Sequence, residues 1–256
     1  IQGALDLALM AYAIAEDPRV STPFMVNLDG FALTHTYESV EVPDQALADE
    51  FLVPYETENR FDFDHPVNIG YSAGPEFNRH FKYWAHRDMC DAVSVIDEVE
   101  ARFERVFGRA YPGVVESYRA DDADVVMVTL GSIAGLVREV VDGLRARGVA
   151  AGLVRIRYMR PFPADEIAAA LASARAVGVL EKDVSFGAEG VVFSNVNSAL
   201  LQHAGGRVLP PTMNFIGGLG GDDISAAQLE RAFEALADAA QDGRAPSERM
   251  LFLGVD

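Results

Sequence analysis

Residues 124–156, DVVMVTLGSIAGLVREVVDGLRARGVAAGLVRI, hold the key to the fold class. Residues 125–129 form an unbroken, mostly β-branched apolar run, and such a run predicts a buried strand. Gly131-Ser132 then turns the chain. Ile133, Leu136, Val137, Val140, Val141 and Leu144 follow at helical spacing, with Gly148 as the stop. Residues 149–156 read as a second strand. Strand, helix and strand in this order make a parallel crossover unit.

The pattern continues downstream. Arg160-Pro161-Phe162-Pro163 opens a helix with Asp165 and Glu166 in its first turn, where the helix dipole favours acids. Residues 176–180 read as a third strand, 191–203 as a helix and 212–216 as a fourth strand. Ser225 and Gln228 fit a capping box for the last helix, and Ile224 and Leu229 fit a hydrophobic staple. The fold class is therefore α/β, an open parallel sheet with helices on both faces, beginning near Ala120.

Upstream, residues 2–16 form a helical run that is apolar almost all round (Leu5, Leu7, Leu9, Met10, Tyr12, Ile14), which predicts burial on most sides. Asp17-Pro18 ends it. Residues 24–28 read as a short strand stopped by Asp29-Gly30. From 43 to 83 the pattern breaks at Pro43, Pro54, Pro66, Gly70, Gly74 and Pro75. Aromatics recur there: Phe51, Tyr55, Phe61, Phe63, Tyr71, Phe77, Phe81, Tyr83 and Trp84. A disordered linker is poor in aromatics, so an ordered connector packed across a surface is expected. A long helix should run from about His86 to Phe107, with Met89, Val93, Ile96, Val99, Phe103, Val106 and Phe107 on one face and Gly108 as its stop.

The chain has 256 residues, half of them apolar, with 39 acids against 21 bases and a net charge of −18. That balance argues against nucleic acid and anionic membrane surfaces as partners. A single cysteine, Cys90, excludes a disulfide framework and any cysteine-ligated cluster held by this chain alone. No apolar run approaches a membrane span, and Ile1-Gln2-Gly3 opens no leader, so a cytoplasmic protein is expected. One helix and one strand before Gly30 are too little for a domain, so the rest of that layer is expected from elsewhere.

Local motifs for chemistry are sparse. Gly217-Gly218-Leu219-Gly220-Gly221 lies between a strand and a helix, but Asp222 and Asp223 follow it and would repel a phosphate, so a tight turn is the favoured reading. Ser132 reads as a helix cap more readily than as a ligand group. Thr34 and His35, after Asp29-Gly30, could reach a ligand. Asp62, Asp64 and His65 make a weak metal pattern, and Cys90 reads as a buried or interfacial thiol. No P-loop, G-x-S-x-G elbow or H-E-x-x-H pair occurs.

A resemblance carries the reading further. Residues 24–31, on through Thr34-His35 to Val40-Glu41-Val42, resemble the alpha subunit of 2-oxoacid:ferredoxin (acceptor) oxidoreductases, and Gln2 with Ala4-Leu5-Asp6 resembles the helix before it. Asp64-His65-Pro66-Val67 and the long helix are similar to that family's connector. Residues 121–124, Thr129-Leu130-Gly131-Ser132, Arg157 with Arg160-Pro161-Phe162-Pro163, Ser185-Phe186-Gly187 and Gly218-Leu219-Gly220-Gly221 are similar to its second domain.

The resemblance implies three parts: a partial pyrimidine-binding-type domain over 1–60, a connector with the long helix over 61–120, and a transketolase C-terminal-like domain over 121–256. It implies oxidative decarboxylation of a pyruvate-like 2-oxoacid, with electrons to ferredoxin or a similar acceptor and the acyl group usually to CoA. Thiamine diphosphate would be shared with a beta subunit, and Mg2+ and iron–sulfur clusters would sit on beta and iron–sulfur (gamma) partners of a hetero-oligomer, none on this chain. Asp29, Thr34 and His35 would lie near the aminopyrimidine. The glutamate, threonine and arginine that serve cofactor and substrate in the family belong to a part upstream of Gln2, so no catalytic residue is carried over. Asp222 stands where the family commonly has arginine. The other readings are a non-catalytic scaffold chain of such a complex, and a 2-oxoacid dehydrogenase beta or transketolase-type component.

Overall fold

A helix satisfies its own backbone, whereas a strand needs a neighbour, and this separates the two ends of the chain. The computed structural model describes residues 1–30, 33–57, 60–70 and 72–255. One unit comprises Ile1–Asn27 and Tyr37–Gly113, and a second comprises Leu28–Thr36 and Val114–Asp256.

The first unit is helical, with α1 (Gln2–Ala15), α2 (Gln45–Phe51) and α3 (Pro75–Phe107). Helix α3 begins well before the expected His86. Pro75 follows Gly74 at the first helical position, where a missing N–H leaves no bond unmade. Gly108 ends it at φ 71°, as expected. Ala92, Val95, Ile96, Val99 and Phe103 make its buried stripe. Phe51 of α2 is fully buried, with its ring 5.3 Å from that of Phe103 and 5.5 Å from that of Phe107.

Helix α1 packs on α3; it buries Asp6, Met10, Ala11 and Ile14, and of its other residues only Gly3 and Tyr12 are exposed. Two expectations fail in this unit. Residues 24–28 form no strand, because among the described residues no backbone runs alongside to complete a ladder. Apart from Phe51, the connector aromatics are not packed away. Phe61 and Phe63 are almost fully exposed, as are Phe77, Phe81 and Trp84 in large part. The Tyr83 and Trp84 rings meet edge to face with centroids 5.2 Å apart, and Tyr71 lies outside the described residues.

One polar brace holds this unit. The fully buried Asp6 carboxylate accepts from Arg109 Nε at 2.7 Å and Nη2 at 2.9 Å, from the Tyr111 hydroxyl at 2.6 Å and from Gln2 Nε2 at 2.8 Å. It ties α1 to the chain beyond α3.

The second unit is a six-stranded sheet: β1 (Val115–Tyr118), β2 (Val125–Leu130), β3 (Ala151–Ile156), β4 (Ala176–Glu181), β5 (Thr212–Ile216) and β6 (Met250–Phe252). The order is β1-β3-β2-β4-β5-β6. The expected four strands are parallel, as read, and β6 is parallel to β5, while β1 is antiparallel to β3. The two edge strands, of 4 and 3 residues, are too short to announce themselves in the sequence.

Alternation sorts the strand residues. Val125, Met127, Ala151, Leu153, Leu180, Met213 and Phe215 pack against α4 (Ala134–Ala146) and α7 (Ala226–Asp242). Val126, Val128, Val154, Ile156, Val177 and Val179 pack against α5 (Ala164–Ala170) and α6 (Val191–Gln202). Gly178 completes the first face by its lack of a side chain: a Cβ there would lie 2.7 Å from Leu236 and 2.8 Å from Phe215. The Ser225–Gln228 capping box opens α7 as expected.

Candidate functional site

In open parallel sheets, polar groups that serve a ligand collect where strands end and helices begin. The second unit gathers Asp29, Ser132, Lys182 and Gly218 in such a place. Ser132 follows β2, Lys182 follows β4 and Gly218 follows β5. Asp29 arrives from the distant 28–36 loop. Its carboxylate accepts the Ser132 amide at 2.9 Å and the Ser132 hydroxyl, and Lys182 Nζ lies 3.6 Å away. Burial pushes the Asp29 carboxyl up. The Ser132 hydroxyl and amide and the Lys182 ammonium more than offset this and hold it below its usual range.

Ser132 is therefore not the helix cap it was read to be. Ile133, whose side chain has no acceptor, takes that position, and the Ser132 hydroxyl donates to Asp29. Gly131 is required beside it: its φ is 76°, and a Cβ would sit 3.2 Å from Asp29 Oδ2.

Thr34 and His35 occupy the same loop and are exposed, with 2.9 Å between Thr34 Oγ1 and His35 Nδ1. Phe31 and Ala32 between them and Asp29 lie outside the described residues. The structure thus places the three sequence-derived candidates on one loop, with Asp29 turned to Ser132 and Lys182 and the other two at the surface.

The glycine turn is a tight turn, as read. Gly218, Gly220 and Gly221 have φ of 72°, 67° and 88°, and a Cβ on Gly218 would meet the Lys182 stem at 3.1 Å. Asp222 and Asp223 beyond it are exposed. His65 Nδ1 lies 3.2 Å from Asp62 Oδ2, and among the described residues no group of three His, Cys, Asp or Glu could hold a metal ion. Cys90, read as a buried or interfacial thiol, is exposed on α3 and is not a core residue, since it falls off the stripe that α3 packs.

Two polar groups escaped the sequence reading. Lys182 is one; its only signal is its place directly after a buried strand. Glu181 is the other. It is 4% exposed and accepts the Val192 amide at 2.7 Å, the Phe193 amide at 3.1 Å and Asn214 Nδ2 at 2.8 Å, so a carboxylate from β4 caps α6. Burial outweighs these bonds and holds its pKa above the usual value, with Asp183 adding to the rise. Ser185-Phe186-Gly187 runs past an open pocket of about 380 Å³ that includes Phe186, Phe193, Met250 and Phe252. No described helix is long and apolar enough to cross a membrane.

Comparison with known proteins gives two family matches in chain order. Residues 1–101 match the family described as pyruvate flavodoxin/ferredoxin oxidoreductase, thiamine diphosphate-binding, and residues 123–229 match pyruvate:ferredoxin oxidoreductase core domain II. The chain is 42% identical over 243 residues to pyruvate synthase subunit PorA of Pyrococcus horikoshii, covering 94% of this chain and 60% of that one. It is 36% identical over 248 residues to ketoisovalerate oxidoreductase subunit VorA of Pyrococcus abyssi, covering 96% of this chain and 62% of that one. It thus spans about 60% of the length of these curated relatives. Among solved structures, the 2-oxoglutarate:ferredoxin oxidoreductase from Magnetococcus marinus superposes on 66% of this chain and 24% of its own, with a TM-score of 0.46 at 19% identity.

Proposed function

The chain belongs to the pyruvate flavodoxin/ferredoxin oxidoreductase family, and on that premise we propose that it serves as the alpha component of a 2-oxoacid:acceptor oxidoreductase in the cytoplasm. The observation that carries the reading is the co-linear match: a thiamine diphosphate-binding region followed by core domain II along one chain. The substrate class is a small 2-oxoacid, pyruvate or a near relative, with ferredoxin or a similar protein as electron acceptor and CoA as acyl acceptor. The partners are a beta-type subunit and an iron–sulfur subunit.

Thiamine diphosphate supplies the electron sink for decarboxylation of a 2-oxoacid. The donor set of this chain fits the ring end of that cofactor. Thr34 and His35 offer a hydroxyl and an imidazole side by side on an exposed loop, groups suited to an aminopyrimidine. It does not fit the diphosphate end: Lys182 already faces Asp29, and the glycine turn leads into two aspartates. The diphosphate and its metal are therefore assigned to the beta subunit, and this chain orients the ring.

The test is native mass spectrometry of the complex isolated through this chain, with cofactor masses resolved, and turnover of the same material. Copurification with a beta-type subunit, an iron–sulfur subunit and thiamine diphosphate is expected. A lone chain without cofactor overturns the reading. Within the complex, Thr34→Ala should lower turnover without dissolving the assembly, and unchanged turnover would favour a scaffold role.

A further inference from the structure

The sheet order leaves β2 flanked by β3 on one side and β4 on the other, so the chain's winding reverses there. The carboxyl ends of β2 and β4 border that switch point, the usual place for a bound ligand in an open α/β sheet. Here a carboxylate of the chain itself occupies it. Asp29 meets Ser132, 103 residues further on, at the end of β2, and Lys182 at the end of β4.

We propose that Asp29 is a positioning residue, latched by Ser132 and Lys182 at the switch point so that the 28–36 loop presents Thr34 and His35 in one conformation. This rests on the function proposed above for its link to turnover; the latch itself stands on geometry. The donors follow closely on two strands that are paired on both sides in the sheet. Gly131 lets the carboxylate approach to a distance that a Cβ would crowd. A Cβ on Gly218 would lie 3.1 Å from the Lys182 stem, so glycine there leaves room for the lysine beside Asp29. Leu28, Gly30, Thr34 and His35 of the loop are exposed. Each fixed polar anchor removes some of the conformations that an exposed loop would otherwise sample.

The experiment uses the assembled complex carrying Asp29→Ala, Asp29→Asn or Lys182→Met, normalised for assembly by native mass spectrometry. Hydrogen exchange of peptides covering 28–36 is read beside kcat and KM for the 2-oxoacid at saturating thiamine diphosphate. Asp29→Ala and Lys182→Met should raise exchange in the loop while β2 and β4 stay protected, and should lower kcat about 10- to 100-fold through misplacement of the loop, with KM nearly constant. Asp29→Asn keeps an acceptor for Ser132 and should fall between. A residue that only stabilises the fold would lower assembly or melting temperature without this kcat split. Unchanged loop exchange overturns the latch, whatever Thr34→Ala does to turnover. Raised exchange with unchanged kcat overturns the positioning role; if Thr34→Ala is also silent there, the function reading itself has failed.

Discussion

Phe193, Phe215 and Phe233 of the second unit are at most 1% exposed, whereas Phe61 and Phe63 of the first are 84% and 99% exposed. The residue type is the same, so the difference lies in what surrounds it. In the second unit, strands pair with one another and helices cover both faces, so the apolar residues that face inward from strands and helices find partners within the unit. In the first, α1 and α2 pack on α3, and the polar brace on Asp6 adds to that contact. Apolar residues are buried only where chain geometry brings a second layer to them.

The sharpest test of this contrast is a pair of truncations. Phe215→Ala should cost about 4 kcal/mol by opening a cavity, while Phe63→Ala should stay within about 0.5 kcal/mol. Thermal unfolding of the chain reads both, and equal shifts would break the comparison. Next comes Arg109→Ala, which strips the brace and leaves Asp6 buried without its main partner, at a cost of about 3 kcal/mol. Gly178→Ala should cost about 2 kcal/mol by overpacking against Leu236 and Phe215. Ser225→Ala removes only a cap and should cost about 1 kcal/mol.

Acid separates the units by sign. Burial pushes Asp6 up, but its bonds from Arg109, Tyr111 and Gln2 leave its pKa lowered. The brace therefore contributes fully above the unfolded carboxylate pKa and is lost as pH falls through the folded one. Glu181 is raised by burial, so its ionisation costs stability above the folded pKa, and this cost disappears on acidification. Hydrogen exchange along an acid titration should therefore open α1 before β4. Simultaneous opening would show that the brace is not what holds α1.

Legibility followed the same division. The strands β2 to β5 were readable because β-branched runs bounded by turns have one favourable environment, a sheet buried on both faces. The 24–28 run carries a similar signal yet forms no strand, since pairing depends on a neighbour the run itself does not specify. Helix α3 started early because Gly74-Pro75, a helix opening, was read as a break in the pattern. At the candidate site, Thr34 and His35 stood out by their place after Asp29-Gly30 and the resemblance added Asp29, while nothing local pointed to Lys182 or to the partner of Ser132.

Periodicity, turn residues and the order of motifs thus determined from the sequence alone the α/β class, the parallel core strands, the α7 cap and the family, because each is written in residues close together along the chain. Only the tertiary structure decided that Ser132 serves Asp29 rather than its own helix, that Glu181 caps α6, and that Lys182 faces the 28–36 loop. Those partners lie 103 residues apart for Asp29 with Ser132 and 11 for Glu181 with Val192, and they meet only once strand order has set which ends share a crevice. A side chain's donors and acceptors are local properties, but its partner is chosen by topology.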